Sequence, residues 1–229
     1  MMQSPLIVAL DVDSTDRLGL ILQQLDPAMC RVKIGKELFT AVGPRAVGLC
    51  QDAGFEVFLD LKFHDIPNTC AGAVRAAANL GVWMVNVHCA GGRSMMQAAR
   101  SAISELSHPP VLIGVTVLTS MQQSDLDDLG VDRRLDAQVD QMTALAVASG
   151  LDGVVCSAQE AERLRAVHGP SLCLVTPGIR PLWAPNNDQA RVVAPSDALA
   201  AGATYLVIGR PITESENPRR ALHRIVDEL

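Results

Sequence analysis

Within the stretch VFLDLKFHDIPNT (57–69), three charged side chains, Asp60, Lys62 and Asp65, stand where an apolar strand finishes. Asp60 and Lys62 are two residues apart, so on a regular strand they project to the same face. An isolated Asp-x-Lys is equally at home in a surface ion pair, worth about 0–1 kcal/mol. Lys33, late in CRVKI, and Asp11, just past LIVAL, change that reading if their strands lie alongside. Acids and amines alternating in one pocket keep one another ionised. The product is a rigid positive centre beside a rigid negative one, an arrangement costly for folding and useful for chemistry.

A second group points to an anion. VIGRP ends an apolar run with Gly209 and Arg210 and leads into ITESENPRRALHRI, which reads as one helical stretch. Backbone N–H groups at a helix start plus a guanidinium suit a phosphate. Gly-Arg-Pro alone is equally an ordinary tight turn. With Arg180 and Gln189 supplied from a loop upstream, it becomes a clamp with a lid.

These residues need a frame that brings them together. Short β-branched runs at 6–10, 30–34, 56–61, 83–87, 111–117, 153–156, 172–176 and 205–209 alternate with Ala/Leu-rich helical stretches such as AGAVRAAANLG and AQEAERLRAVHG. Eight strands separated by helices predict a parallel sheet, open or closed. LDVDSTD after the first strand is not a Gly-rich dinucleotide fingerprint, which favours closure into a (β/α)8 TIM barrel, a single domain over 1–229. Barrel chemistry sits at the carboxyl ends of the strands, and polar residues recur there. Asn86 and His88 close the fourth strand, Thr119 and Ser120 follow the fifth, Arg180 the seventh and Arg210 the eighth. An open sheet would rarely use nearly every strand. The one long stretch without periodicity, 176–195, is Pro- and Asn-rich and reads as a binding loop or lid.

Composition removes other classes. A net charge of −6 gives no basic field for nucleic acid, so an anionic ligand needs local cations. No run of about 18 or more uncharged apolar residues suggests a membrane span. MMQSPLIVALDVD has no basic segment and meets acid too early for a signal peptide, so the cytoplasm is expected. The six cysteines lack any C-x-x-C pair and read as small buried hydrophobes in a reducing compartment. The five histidines show no ligand spacing, and His88 reads as hydrogen-bonded packing. Trp83 reads as packing between sheet and helices; Trp183 is either exposed or part of a loop closure.

LIVALDV, RVKIGKELF, FLDLKFHDIPNT, VTVLTS, LVTPGIRP and YLVIGRPIT, in that order, resemble the orotidine 5′-phosphate decarboxylase family of bacterial type over essentially the whole chain. The resemblance implies a homodimeric barrel that converts orotidine 5′-monophosphate (OMP) to uridine 5′-monophosphate (UMP) and carbon dioxide, with no metal or organic cofactor. It implies Lys62 as the acid that protonates pyrimidine C6, with Asp60 and Lys33 as charged neighbours. Asp65 and Thr69 would reach into the partner's site. Asp11 and Lys33 would hold the ribose, and Ser120, beside Thr119, the pyrimidine. Arg180, Gln189, Gly209 and Arg210 would grip the phosphate. Ala194, where many members carry threonine, and PLWAPNN depart from the pattern in the lid only. The nearest rival is a magnesium-dependent phosphosugar decarboxylase or aldolase of related barrel design; a silent nucleotide-binding barrel is a second.

Overall fold

The structure, a computed structural model, describes residues 4–184 and 193–229. The chain runs β1 (Leu6–Ala9), α1 (Thr15–Leu22), β2 (Arg31–Ile34), α2 (Lys36–Val42), α3 (Arg45–Asp52), β3 (Val57–Phe63), α4 (Pro67–Asn79), β4 (Met84–His88) and α5 (Gly92–Ser101). It continues through β5 (Val111–Val115), α6 (Gln123–Asp128), α7 (Leu135–Ala148), β6 (Gly153–Val155), α8 (Ala158–His168) and β7 (Cys173–Thr176). The last elements are α9 (Pro195–Ala200), β8 (Tyr205–Ile208), α10 (Arg210–Thr213) and α11 (Pro218–Asp227). Each of the eight expected strands is present, with ends shifted by no more than two residues.

The strands are parallel and pair in sequence order, and β1 pairs with β8 through Leu6–Leu206, Ile7–Val207 and Val8–Ile208. That last pairing closes the barrel and excludes the open sheet. Strand alternation divides the apolar side chains between two cores. Ile7, Ala9, Phe58, Met84, Ile113, Val175 and Val207 fill the barrel, while Val8, Leu59, Val85, Val87 and Leu174 pack outward under the helices. Because both faces of a barrel strand are buried, the strands read as continuous apolar runs.

Trp83 corrects one expectation. It packs on the inner cluster at the barrel floor, edge-on to Tyr205 at 5.1 Å, with the Arg31 guanidinium 4.3 Å over its ring. Arg31 is 4% exposed and also bonds Glu56 at 2.7 Å and the Ser4 carbonyl at 2.9 Å. This plug closes the end opposite the mouth, so the open end is the one that carries the charges.

Local signals set the helix ends. α8 begins with a capping box in which Ser157 and Glu160 satisfy each other's backbone N–H groups, and ends at Gly169 with φ 79°. The expected C-terminal helix is split. α10 is a single turn, and α11 restarts at Pro218, with the Asn217 side chain accepting from Arg220 N at 2.9 Å. Asn-Pro is an N-cap followed by N1, a restart signal that periodicity alone overlooks.

Of the described cysteines, Cys173 is half-buried and the others are buried, and all are free thiols. Burial pushes Cys30, Cys50, Cys89 and Cys173 up to about 12 and Cys70 to about 11, so they pack as protonated hydrophobes. No described helix is long and apolar enough to cross a membrane.

Candidate active site at the barrel mouth

The centre of the mouth is the end of β3, and its geometry is not that of a regular strand. Leu59 pairs with Val85 and Phe63 with Val87, so four residue steps along β3 face two along β4. The extra length is taken up at Lys62, whose φ of +53° is the one positive value at a non-glycine residue among those described. A side chain in that conformation costs roughly 1–2 kcal/mol. Asp60 and Lys62 therefore do converge, but through a bulge rather than through simple alternation. Lys62 Nζ lies 2.7 Å from Asp60 Oδ1.

Asp60 is the hub. Its other oxygen, Oδ2, faces Lys33 Nζ at 3.4 Å, and Lys33 in turn reaches Asp11 Oδ1 at 3.3 Å. Asn86 Nδ2 donates to Asp60 Oδ1 at 2.6 Å. Burial alone pushes the Asp60 carboxyl up. The charges of Lys33 and Lys62, with hydrogen bonds from Lys62 and Asn86, outweigh it and hold Asp60 below the ordinary carboxylate range. The expected array Asp11–Lys33–Asp60–Lys62 is thus assembled from β1, β2 and β3. Gly35 makes room for it: a Cβ there would stand 3.1 Å from Lys33 Nζ and 3.3 Å from Asp11 Oδ1.

Two chambers meet at this array. The inner one, about 180 Å³, is mostly apolar, with Phe58, Val115, Val155, Val175 and Val207 around Lys62, Asp60 and Thr119. The outer one, about 580 Å³, carries Asp11, Glu37, Arg180, Gly209 and Arg210. Lys33, Asp60, Pro177 and Val207 line both, so the chambers are one cleft with a greasy end and a charged end. Flat apolar groups fit the first and an anion the second.

Arg180 is held on the short bridge Ile179–Val193, which ties the two described edges of the 176–195 loop together. Its backbone N–H donates to Val193 O at 3.1 Å. Gly209 precedes α10, and a Cβ on it would sit 3.3 Å from the Ala9 Cβ, so a side chain there would crowd β1. The helical stretch expected behind Arg210 breaks after one turn. The Ile212 and Thr213 N–H groups bond the Gly209 carbonyl, which closes the first turn of α10. Trp183 is half-buried and fixed to α11. Its Nε1 donates to Glu228 Oε1 at 3.0 Å, and Arg224 stacks 4.6 Å over its ring.

Other candidates fall outside the cleft. Ser120 is exposed and lines neither chamber, although its neighbour Thr119 does. Asp65 and Thr69 are exposed beyond β3 and at the start of α4. Asp65 Oδ1 accepts from Ile66 N at 2.6 Å, and Asp65 borders an open groove with His64, Ile66, Pro67, Ala90 and Gly91. Gln189 lies outside the described residues. Among the described residues, no group of three or more His, Cys, Asp or Glu side chains is placed to hold a metal ion.

Asn86 is the residue that sequence reasoning undervalued. It had marked a strand end and nothing more, yet it is fully buried and bonds both Asp60 and the Lys62 backbone. The signal was present: an amide interrupts the valines of MVNVH at an inward position. His88, two residues on, stacks against His64 at a centroid distance of 5.4 Å. Burial, with the neighbouring His64, Lys36 and Lys62, pushes it down to about 4, against an opposing pull from Asp60. His88 is therefore neutral at pH 7. The unfolded chain takes up this proton near pH 6.5 and the folded protein only near 4, so stability should fall as pH drops between those values. The full shift is worth about 3 kcal/mol, and solvent screening of the half-buried ring cuts the expected loss to about 1–2 kcal/mol; His88→Gln should flatten that part of a denaturant-midpoint profile against pH.

Comparison with known proteins agrees with the geometry. The Orotidine 5'-phosphate decarboxylase / HUMPS family profile matches residues 4–225. An orotidine 5'-phosphate decarboxylase of Pseudomonas fluorescens is 56% identical over 228 residues, which is 99% of this chain and 97% of the relative. One from Hahella chejuensis is 54% identical over 223 residues, 97% and 96% of the two chains. The crystal structure of orotidine 5'-phosphate decarboxylase from Lactobacillus acidophilus has a TM-score of 0.88 at 36% identity, covering 98% of each chain. An uncharacterized conserved protein from Geobacillus kaustophilus gives 0.86 at 39% identity, covering 98% of this chain and 99% of its own. Likeness of this extent, in sequence and in backbone, means that the chain belongs to the Orotidine 5'-phosphate decarboxylase / HUMPS family.

Proposed function

We propose that the protein decarboxylates OMP to UMP and carbon dioxide, the last step in making UMP, as a cytoplasmic homodimer. The observation that carries this reading is the Lys62 ammonium in the apolar chamber, held 2.7 Å from Asp60, which stands where that chamber meets the arginine-lined one. The pyrimidine enters the apolar chamber, the ribose meets Lys33 and Asp11, and the phosphate lies toward Arg180, Gly209 and Arg210. Gln189 is assigned to the phosphate on sequence resemblance alone. Thr119 borders the ring; Ser120, outside both chambers, is assigned to it on sequence resemblance alone.

When carbon dioxide leaves, the C6–carboxyl electron pair stays on C6 in the ring plane, where it cannot delocalise. Stabilisation must come from groups that bind the transition state better than the substrate. The Lys62 ammonium meets the growing negative charge and then transfers its proton to C6. Asp60 keeps that ammonium aimed. It also stands near the departing carboxylate: two like charges about 4 Å apart repel by about 4 kcal/mol at an effective dielectric near 20. That repulsion vanishes as neutral carbon dioxide forms. Asp65 and Thr69, outside the cleft of their own chain, complete the partner's site. Asp65 adds a second acid beside Lys62, and Thr69 a hydroxyl for the ribose.

The rival magnesium chemistry is not favoured. Relatives at 54–56% identity over nearly full length carry the decarboxylase name. The oxygens of Asp60 already face two ammonium groups and an amide. The deciding assay follows the fall in orotidylate absorbance with and without a chelator. Turnover indifferent to chelation supports the proposal, and turnover abolished by chelation and restored by magnesium overturns it. Arg210→Ala should lower kcat/KM by about 10–100-fold, the value of one charge-assisted contact to phosphate, and orotidine lacking the phosphate should be insensitive to that substitution.

A further inference from the structure

We propose that Asn86 is a positioning residue that locks Lys62 and Asp60 into one unit, an inference that rests on the decarboxylase reading above. The three residues form a closed ring of interactions. Asn86 Nδ2 donates to Asp60 Oδ1 at 2.6 Å, Lys62 Nζ donates to the same Oδ1 at 2.7 Å, and the Lys62 backbone N–H donates back to Asn86 Oδ1 at 2.8 Å. The orientation of the amide is dictated by its partners, because a carboxylate only accepts and a peptide N–H only donates.

Position explains why this residue sits here. Met84 packs in the inner cluster, so Asn86, two residues on, also points inward, at full burial. It lies between Val85 and Val87, the pair that four steps of β3 must straddle. At that irregularity a side chain, not a strand carbonyl, receives the Lys62 N–H. A backbone at φ +53° relaxes unless something holds it. Here it is held at both ends, by Asn86 at the N–H and by Asp60 at the amine, and Asp60 is itself held by Asn86. None of the three can shift without breaking the other contacts.

The geometry also says which replacements fail. Leucine has similar bulk and offers neither bond. Serine is too short to span both partners. Aspartate keeps the acceptor for the Lys62 N–H but sets a carboxylate against Asp60, and two carboxylates so close cannot both ionise at ordinary pH. A shared proton restores the missing donor.

The test measures steady-state kinetics of the full-length protein and of Asn86→Leu and Asn86→Asp across pH. Asn86→Leu should lose about 10²-fold in kcat, the effect of misplacing a reacting group by roughly 1 Å. Its KM should stay within about 3-fold of the parent, since the phosphate and ribose contacts are untouched. Asn86→Asp should be impaired at neutral pH and recover as pH falls, giving an acid-shifted optimum that the leucine variant lacks. A purely structural Asn86 predicts lower Tm with parental kcat per folded molecule and no acid shift, and that outcome overturns the proposal. The isosteric Asn86→Asp carries the test even if leucine is not tolerated. Crystal structures of the ligand-free variants separate this inference from the function it rests on. Lys62 unmoved, at positive φ and still bonded to Asp60 in Asn86→Leu, refutes the positioning role. A parent protein that fails to decarboxylate refutes only the assigned reaction.

Discussion

Lys62→Ala should lower turnover of OMP by at least about 10⁴-fold, because in the proposed mechanism one substitution removes both the proton donor and the nearest charge to the carbanion. The protein should remain folded. Asp60 keeps Lys33 at 3.4 Å and Asn86 at 2.6 Å, so its buried carboxylate is not left without partners. Lys62 is itself a quarter exposed along its side chain, at 26%. The destabilisation expected is about 1–2 kcal/mol, or a Tm lowered by several degrees in a chain of this size. A barrel whose ion pairs serve only stability predicts the reverse pattern, with lower Tm and no specific catalytic defect. Substrate depletion at saturating OMP and a thermal melt of the same sample discriminate the two; retained turnover would remove Lys62 as the acid. The comparison Lys62→Gly sharpens the point. Glycine accepts φ +53° without a Cβ penalty, so it should be more stable than Lys62→Ala by about 1 kcal/mol while being equally inactive. Stability recovered from alanine to glycine with no activity recovered would mark the strain at residue 62 as kept for the lysine's chemistry, not for holding the barrel.

The strands were readable because a closed parallel barrel buries both faces of each one, leaving Val/Ile/Leu runs such as LIVA and YLVI with no competing interpretation. The mouth was readable for a related reason. Charges at the ends of such runs have nowhere to go but the rim, and Asp11, Lys33, Asp60, Lys62 and Arg210 all reach the cleft there. Register was not readable. Period-two reasoning placed Asp60 and Lys62 on one face, and they do meet, but the strand departs from period two between them. Nothing local distinguishes a bulge from a regular strand when the partner strand's contribution, Asn86, lies 24 residues from Lys62. The same blindness affected neighbours along the chain. Thr119 and Ser120 are alike in chemistry, and only the path of the loop after β5 puts the first in the chamber and leaves the second outside. Motif resemblance names residues; side-chain direction comes from the pairing of distant segments.

The second large effect concerns the assembly. Asp65 and Thr69 belong to the DLKFHDIPNT run with Lys62, yet both face solvent beyond the cleft of their own chain. If they complete a neighbour's site, two inactive proteins can make an active one. Lys62→Ala and Asp65→Ala homodimers should each be nearly silent. In a hybrid, one cleft lacks both groups and the other has both, its Lys62 from one chain and its Asp65 from the other. Random exchange of a symmetric dimer makes about half the dimers hybrid, each with one working site of two, so a 1:1 mixture should regain roughly a quarter of parental activity. The rise from near zero should follow the kinetics of subunit exchange, which native mass spectrometry on a tagged chain measures independently. A cleft complete within one chain predicts no gain at any mixing ratio. Hybrids seen by mass without recovered turnover would return Asp65 to the surface and leave Asp60 as the acid beside Lys62. The exposed Ile66, 68% accessible and adjacent to Asp65, places an apolar side chain where such an interface would form. Ile66→Asp should accordingly weaken dimerisation and lower activity together, with both restored at higher protein concentration, whereas loss of activity in an intact dimer would separate the interface from the site.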